Sequence, residues 1–495
     1  MSDDLVFDRA VAQLLAAERH VDRHIAAYAD RDDLAGTQLL LETLRMVIED
    51  ALREVLTRQR SLAGASLAAG ARERELRQIK SAARRTALLV GQPLHYVVKS
   101  HGRAFDPLAI AFGRMARQIA PNTELIFRGS ENRGYALSPS LLEGLRQSLV
   151  NRGSPFVDQL ERLPTLLYVQ YPAVAEGDVL QHLLVAHEVA HLALRRPDGK
   201  KKRSQAEGRF ETAIAAWRNA DPQAHKAAEG IHASQTSDIW KARREKALYW
   251  FTELACDLLA VRLVGPAYYL ALFEFALTRQ WFYRADDDGS HTHPHLAWRL
   301  ARAETQLSAF FQHMAPPLQS QVKAAFTSRI KAVPSAAATI KQEPYAAVID
   351  IALDTLAEDL ARSPADVLGN APLDPALLAT ELRFVIEGLD NGLAPAERLC
   401  WSPHDVVTWD QDSADRPPRW SEPLDWRSVL NGGYISVLGT TKLPVEPLRE
   451  KWLAEDRQRQ DGTSRVRGTV ELTEFHRRAS VASGHLRTLD RRSSS

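Results

Sequence analysis

"LLVAHEVAHLAL", residues 183–194, decides how this chain is read. Leu183, Leu184, Val185, Val189, Leu192 and Leu194 leave almost no polar face, so the segment predicts a helix buried on nearly all sides. It nevertheless carries His187, Glu188 and His191. An ionised carboxylate in such surroundings is costly unless a partner or a metal compensates it. His187 and His191 lie four apart, so a helix projects both imidazoles from one side. The pentad from His187 to His191 is HExxH, in which two neutral imidazoles hold zinc and the glutamate between them acts on the attacking water.

Catalytic zinc commonly has three protein ligands and one open position. The next apolar helical run, "EKALYWFTELACDLLAVRLVGPAYYLAL" (residues 245–272), contains two acids, Glu253 and Asp257, at i and i+4. Two carboxylates so placed repel each other, and no lysine on their own face relieves them. A zinc for Glu253 and a ligand histidine for Asp257 resolves both conflicts, the carboxylate accepting the free N–H of a zinc-bound imidazole. The bland alternative is a polar stripe facing another helix.

HExxH followed well downstream by a helical ExxxD resembles the gluzincin metallopeptidases. That resemblance implies zinc ligands at His187, His191 and Glu253, a general base at Glu188, and Asp257 as support for a histidine. A third segment, "SHTHPHLAWRLARAE" (residues 290–304), is similar to the THP…R element of peptidases related to HtpX and the CAAX prenyl-protein peptidases. It implies that His293 and Arg299 lie over the metal and stabilise substrate or transition state, as preorganised donors do for a developing oxyanion. His291, His295 and Tyr283 compete for the same role, and a histidine-rich loop without one is the plain alternative. The resemblance spans residues 163–303.

The rest of the chain bounds this reading. Its 495 residues are 45% hydrophobic and 25% charged, with a formal net charge of +1. Such a balance argues against nucleic acid or an acidic membrane surface as partner. The basic cluster Lys200 to Arg203 reads as a solvated loop. Cys256 and Cys400 are the two cysteines, too few for a disulfide framework, and buried structural thiols are their default. The amino terminus lacks the basic start of a signal peptide. The longest apolar run, from Tyr268, is broken by Glu274 and too short to span a bilayer. A cytoplasmic location is expected.

The expected fold is mainly α with a small β-sheet (α+β): a zincin-like core flanked by helical regions. Residues 1–120 form a helical N-terminal region, with Leu41, Leu44, Ile48, Leu52 and Val55 at three-four spacing. The core covers 121–315, a helical C-terminal region 316–470, and 471–495 reads as a disordered tail. Two short strands should flank the turn signal "GSENRG" (residues 129–134). "TLLYVQY" (residues 165–171), between Pro164 and Pro172, reads as an edge strand. Its Tyr168 and Val169 would offer main-chain groups to an extended peptide.

The expected function is zinc-dependent endopeptidase action on a cytosolic protein or peptide, with one Zn2+ per chain. A regulatory protein partner is a further expectation, with stress response or phage defence as context. The alternatives are a helical scaffold with a structural or vestigial zinc site, and a metal-dependent hydrolase of non-peptide substrates.

Overall fold

The computed structural model describes residues 3–29, 35–64, 68–100, 106–130, 135–138, 143–151, 156–172, 181–197, 203–226, 237–279, 293–332, 343, 345–390 and 425–440. Tyr283, His291, Cys400 and the 471–495 tail lie outside the described residues. Among the described residues the protein is mainly helical with one small sheet, as the periodicity implies. It divides into two compact units, Met1–Arg117 with Pro121–Glu176, and Gln118–Ala120 with Gly177–Ser495.

In the first unit three long helices, α1 (Asp3–Tyr28), α2 (Ala35–Gly64) and α3 (Ala69–Ser100), pack against one another. Leu14, Val21, Leu41, Leu44, Ile48, Ile79 and Val90 interdigitate in their shared core. These are the three-four-spaced apolar positions whose burial supplies most of a helix's stability in a protein. α4 (Asp106–Ile119) follows, then the strands β1 (Thr123–Ser130) and β2 (Ala136–Ser138) and the short helices α5 (Glu143–Asn151) and α6 (Val157–Glu161). The strand β3 (Thr165–Pro172) comes last. Glu124 of β1 accepts from the Gly36 and Thr37 N–H groups at 2.7 and 2.9 Å. It thereby satisfies donors that the start of α2 leaves open.

The sheet order is β1-β3-β2, with β3 parallel to β1 and antiparallel to β2. The two strands flanking "GSENRG" therefore pair with β3 and not with each other. The edge-strand reading of residues 165–171 is corrected: β3 is the middle strand. Tyr168 and Val169 are matched on one side by Ile126 and Phe127 and on the other by Ser138 and Leu137. Their main-chain groups serve the sheet, which removes the argument for a peptide shelf there. Pro164 and Pro172 mark where the strand stops; Pro172 is its last residue.

The second unit opens with a 3-10 turn, Gln181–Leu184, that runs into α7 (Val185–Arg195). Every residue of α7 from Val185 to Ala190 is buried, His187 and Glu188 included. It packs on α8 (Gln205–Ala220) and on the long α9 (Ser237–Val264). α8 starts with a capping box, Ser204 and Glu207 each satisfying the other's main-chain N–H. Next come α10 (Ala267–Arg279), α11 (Leu296–Glu304), α12 (Ser308–Phe311) and α13 (Pro316–Ala332), followed by α14 (Ala346–Arg362) and α15 (Pro364–Leu368). α16 (Pro375–Asp390) and α17 (Trp426–Thr440) are the last helices among its described residues. No helix among the described residues is long and apolar enough to cross a membrane.

The corner between α9 and α10 joins the helix of Asp257 to that of Tyr268, whose hydroxyl donates to that aspartate. α9 is followed by Gly265, whose φ of +85° is open to glycine and strained for other residues. Asn431 of α17 reaches into this corner, donating to Val264 O and accepting from Ala267 N–H, both at 2.7 Å. Arg427 adds donors to Leu263 O at 3.0 Å and Ala371 O at 2.8 Å. Asn431 is fully buried, so Asn431→Ala leaves a buried donor and acceptor unpaired and should cost about 2–3 kcal/mol. A chemical denaturation midpoint unchanged by that substitution would show that the corner relaxes at no cost.

Candidate metal centre

α7 presents His187 and His191 on one side, their ring centroids 5.1 Å apart and nearly perpendicular. α9 runs alongside and brings Glu253, Cys256 and Asp257, one face at i, i+3 and i+4. Glu253 gathers three imidazoles. His187 Nε2 lies 3.1 Å from its Oε2, His191 Nε2 lies 3.5 Å from its Oε1, and His293 Nε2 lies 3.5 Å from its Oε2. The sequence-derived trio of His187, His191 and Glu253 is thus brought together, with Glu188 buried on the same turn of α7.

The far edge of His187 is held by Asp257, whose Oδ1 lies 2.8 Å from Nδ1. Asp257 has no exposed surface and is satisfied on all sides. Arg299 grips it in a fork, Nε to Oδ2 and Nη2 to Oδ1, both at 2.8 Å. The Tyr268 hydroxyl donates to the same Oδ1. This arrangement turns the Nδ1 edge of His187 to Asp257 and its Nε2 to Glu253, so that a metal displacing the Nε2 proton would meet that nitrogen's lone pair. Trp298 stands edge-on to Trp250, ring centroids 5.9 Å apart, and ties α11, which carries Arg299, to α9.

Electrostatics follow from burial and these partners. Burial disfavours a charge on His187, yet Asp257 and Glu253 together outweigh it and raise its pKa to about 10. Burial lowers His191 to about 3, keeping it neutral. Burial would raise Glu253, but His187 reverses this and draws it down to about 2. Asp257 is likewise held well below the carboxylate range, Arg299 and His187 overcoming its burial. One positive charge between two ionised carboxylates, beside a neutral imidazole, is a setting in which a divalent cation can replace the proton.

No protein-family model, curated protein or solved structure matches the chain. The site's reading therefore stands on its own geometry.

That geometry revises one expectation. Arg299 was expected over the metal as an oxyanion donor, but it is buried and its Nε and Nη2 are committed to Asp257. It meets His187 both through Asp257 and directly, its Nη2 lying 3.2 Å from Nδ1. His293 keeps a different position: its side chain is 55% exposed while its ring reaches Glu253. His295 separates from its neighbours, since its Nδ1 accepts from Ala297 N–H at 3.2 Å and caps α11.

Two site residues escaped the sequence reading. Tyr268 lies in an apolar run where one of two adjacent tyrosines could reach a polar partner, and periodicity does not say which. Cys256 reads in the sequence as a buried structural thiol. Its sulfur and one nitrogen each of His187 and His191 all lie within 4.8 Å of one another, a buried group that could hold a metal ion. The available signal was its place three residues after Glu253 on the same helix face.

Proposed function

We propose that this chain is a zinc-dependent endopeptidase of the gluzincin type, acting on peptide bonds of a protein substrate. The observation that carries the proposal is the meeting of His187, His191 and Glu253 beside a buried Glu188, with Asp257 bracing His187 from behind. A structural zinc site needs ligands but no base, and Glu188 is present. The donor chemistry suits zinc: two imidazoles and a carboxylate, with an acid behind the first imidazole.

Held by those three residues, zinc supplies Lewis acidity toward a carbonyl oxygen and lowers the pKa of a water molecule. Glu188 takes the proton of the attacking water and returns it to the leaving amine. Asp257 keeps His187 in the tautomer and orientation that present Nε2. Arg299 and Tyr268 keep Asp257 ionised and immobile. His293, exposed and beside Glu253, is the side chain placed to donate toward charge developing on the scissile oxygen.

The test is incubation of the purified chain with an unfolded protein, followed by mass-spectrometric identification of new amino termini. Cleavage should disappear on chelation, return with added zinc and be absent in Glu253→Ala. Cleavage that survives exhaustive chelation, or none by zinc-loaded protein, would overturn the proposal.

A further inference from the structure

We propose that Cys256 is a fourth metal donor, so that the resting site is closed and opens for catalysis when the sulfur is displaced. This rests on the zinc reading above and adds a latent state to it.

Cys256 is fully buried on α9, three residues after Glu253 and next to Asp257. Residues at i and i+3 of a helix share a face, so Cys256 and Glu253 both lie on the side of α9 that meets His187 and His191. Zinc–nitrogen bonds of ~2.0–2.1 Å and zinc–sulfur bonds of ~2.3 Å set tetrahedral donors about 3.5 Å apart. The sulfur and the two histidine nitrogens fall within 4.8 Å of one another. A contraction of about 1 Å therefore suffices, within what rotation about the Cys256 and histidine side-chain torsions provides.

Two imidazoles, one carboxylate and one thiolate complete a tetrahedron, and a zinc with four protein donors has no place for water. Binding is a proton exchange: the Cys256 S–H gives its proton to solvent as the sulfur lone pair goes to the metal. No electron changes hands. Displacement reverses it, the thiol regaining a proton and a water taking the fourth place. A filler role for Cys256, as a small apolar side chain packed beneath the histidines, is the alternative that the experiment separates.

The experiment uses the full chain, freed of zinc and loaded with one equivalent of Co2+. Wild type should show a near-ultraviolet sulfur-to-cobalt charge-transfer band. Cys256→Ala and Cys256→Ser should still take up the one equivalent of cobalt on their three remaining donors and lack the band. Their zinc forms should cleave peptide severalfold faster than wild type, because the site no longer starts closed. Cobalt bound by wild type without the band overturns the inference and leaves the peptidase reading standing. The band with no activity in wild type or either variant instead overturns latency and the peptidase reading together, leaving a closed structural site. Equal cobalt uptake by His191→Ala would overturn the metal assignment itself.

Discussion

Glu188→Gln is expected to retain its metal and to lose peptide hydrolysis by about 10²–10⁴-fold, the usual worth of a positioned general base. Glutamine matches glutamate in size, so the buried turn of α7 that holds residue 188 need not repack. The amide cannot accept the proton of the attacking water at neutral pH. His187, His191 and Glu253 are untouched, and zinc content should be that of wild type. Initial rates on an internally quenched peptide, taken with metal analysis of the same samples, check both halves. Near-normal turnover in Glu188→Gln would remove the glutamate from the mechanism.

Arg299→Leu should have the second large effect, of a different kind. It removes the counter-charge from Asp257, which has no exposed surface and receives two of its hydrogen bonds from that guanidinium. Breaking one side of a buried pair costs about 3–5 kcal/mol. Zinc affinity should fall roughly 10–100-fold as His187 loses its fixed orientation. Arg299→Lys should recover only part, since an ammonium cannot reproduce the two-pronged fork. The double variant Arg299→Leu/Asp257→Leu should regain part of the lost stability, because no charge is left stranded. If Arg299→Leu instead kept its stability and zinc while losing turnover, the arginine would be facing substrate.

The centre was legible because it breaks a local rule. His187, Glu188 and His191 sit in a helix that should be wholly apolar, and Glu253 and Asp257 repeat the offence on a second one. Helical periodicity then tells which side chains share a face, so the trio and the acid behind His187 follow without tertiary knowledge. The long amphipathic helices of the first unit were readable for the same reason, Leu41, Leu44 and Ile48 all falling in its core.

What stayed hidden depends on contacts between distant segments. Nothing local distinguishes β3 as a middle strand, because its second neighbour, β2, is only three residues long. Proline at both ends of a strand marks its limits as readily as an exposed edge. Arg299 looks the same in sequence whether its fork grips a substrate or an aspartate 42 residues away. Asn431 locks the α9–α10 corner from 164 residues downstream of Ala267, and no periodicity announces such a brace.

The most direct measurement is the metal content of the chain purified without added zinc. Wild type and Glu188→Gln should each carry one zinc per chain, whereas His187→Ala, His191→Ala and Glu253→Ala should carry little or none. Zinc absent from wild type even after zinc loading, or retained equally by all three ligand variants, would contradict the account.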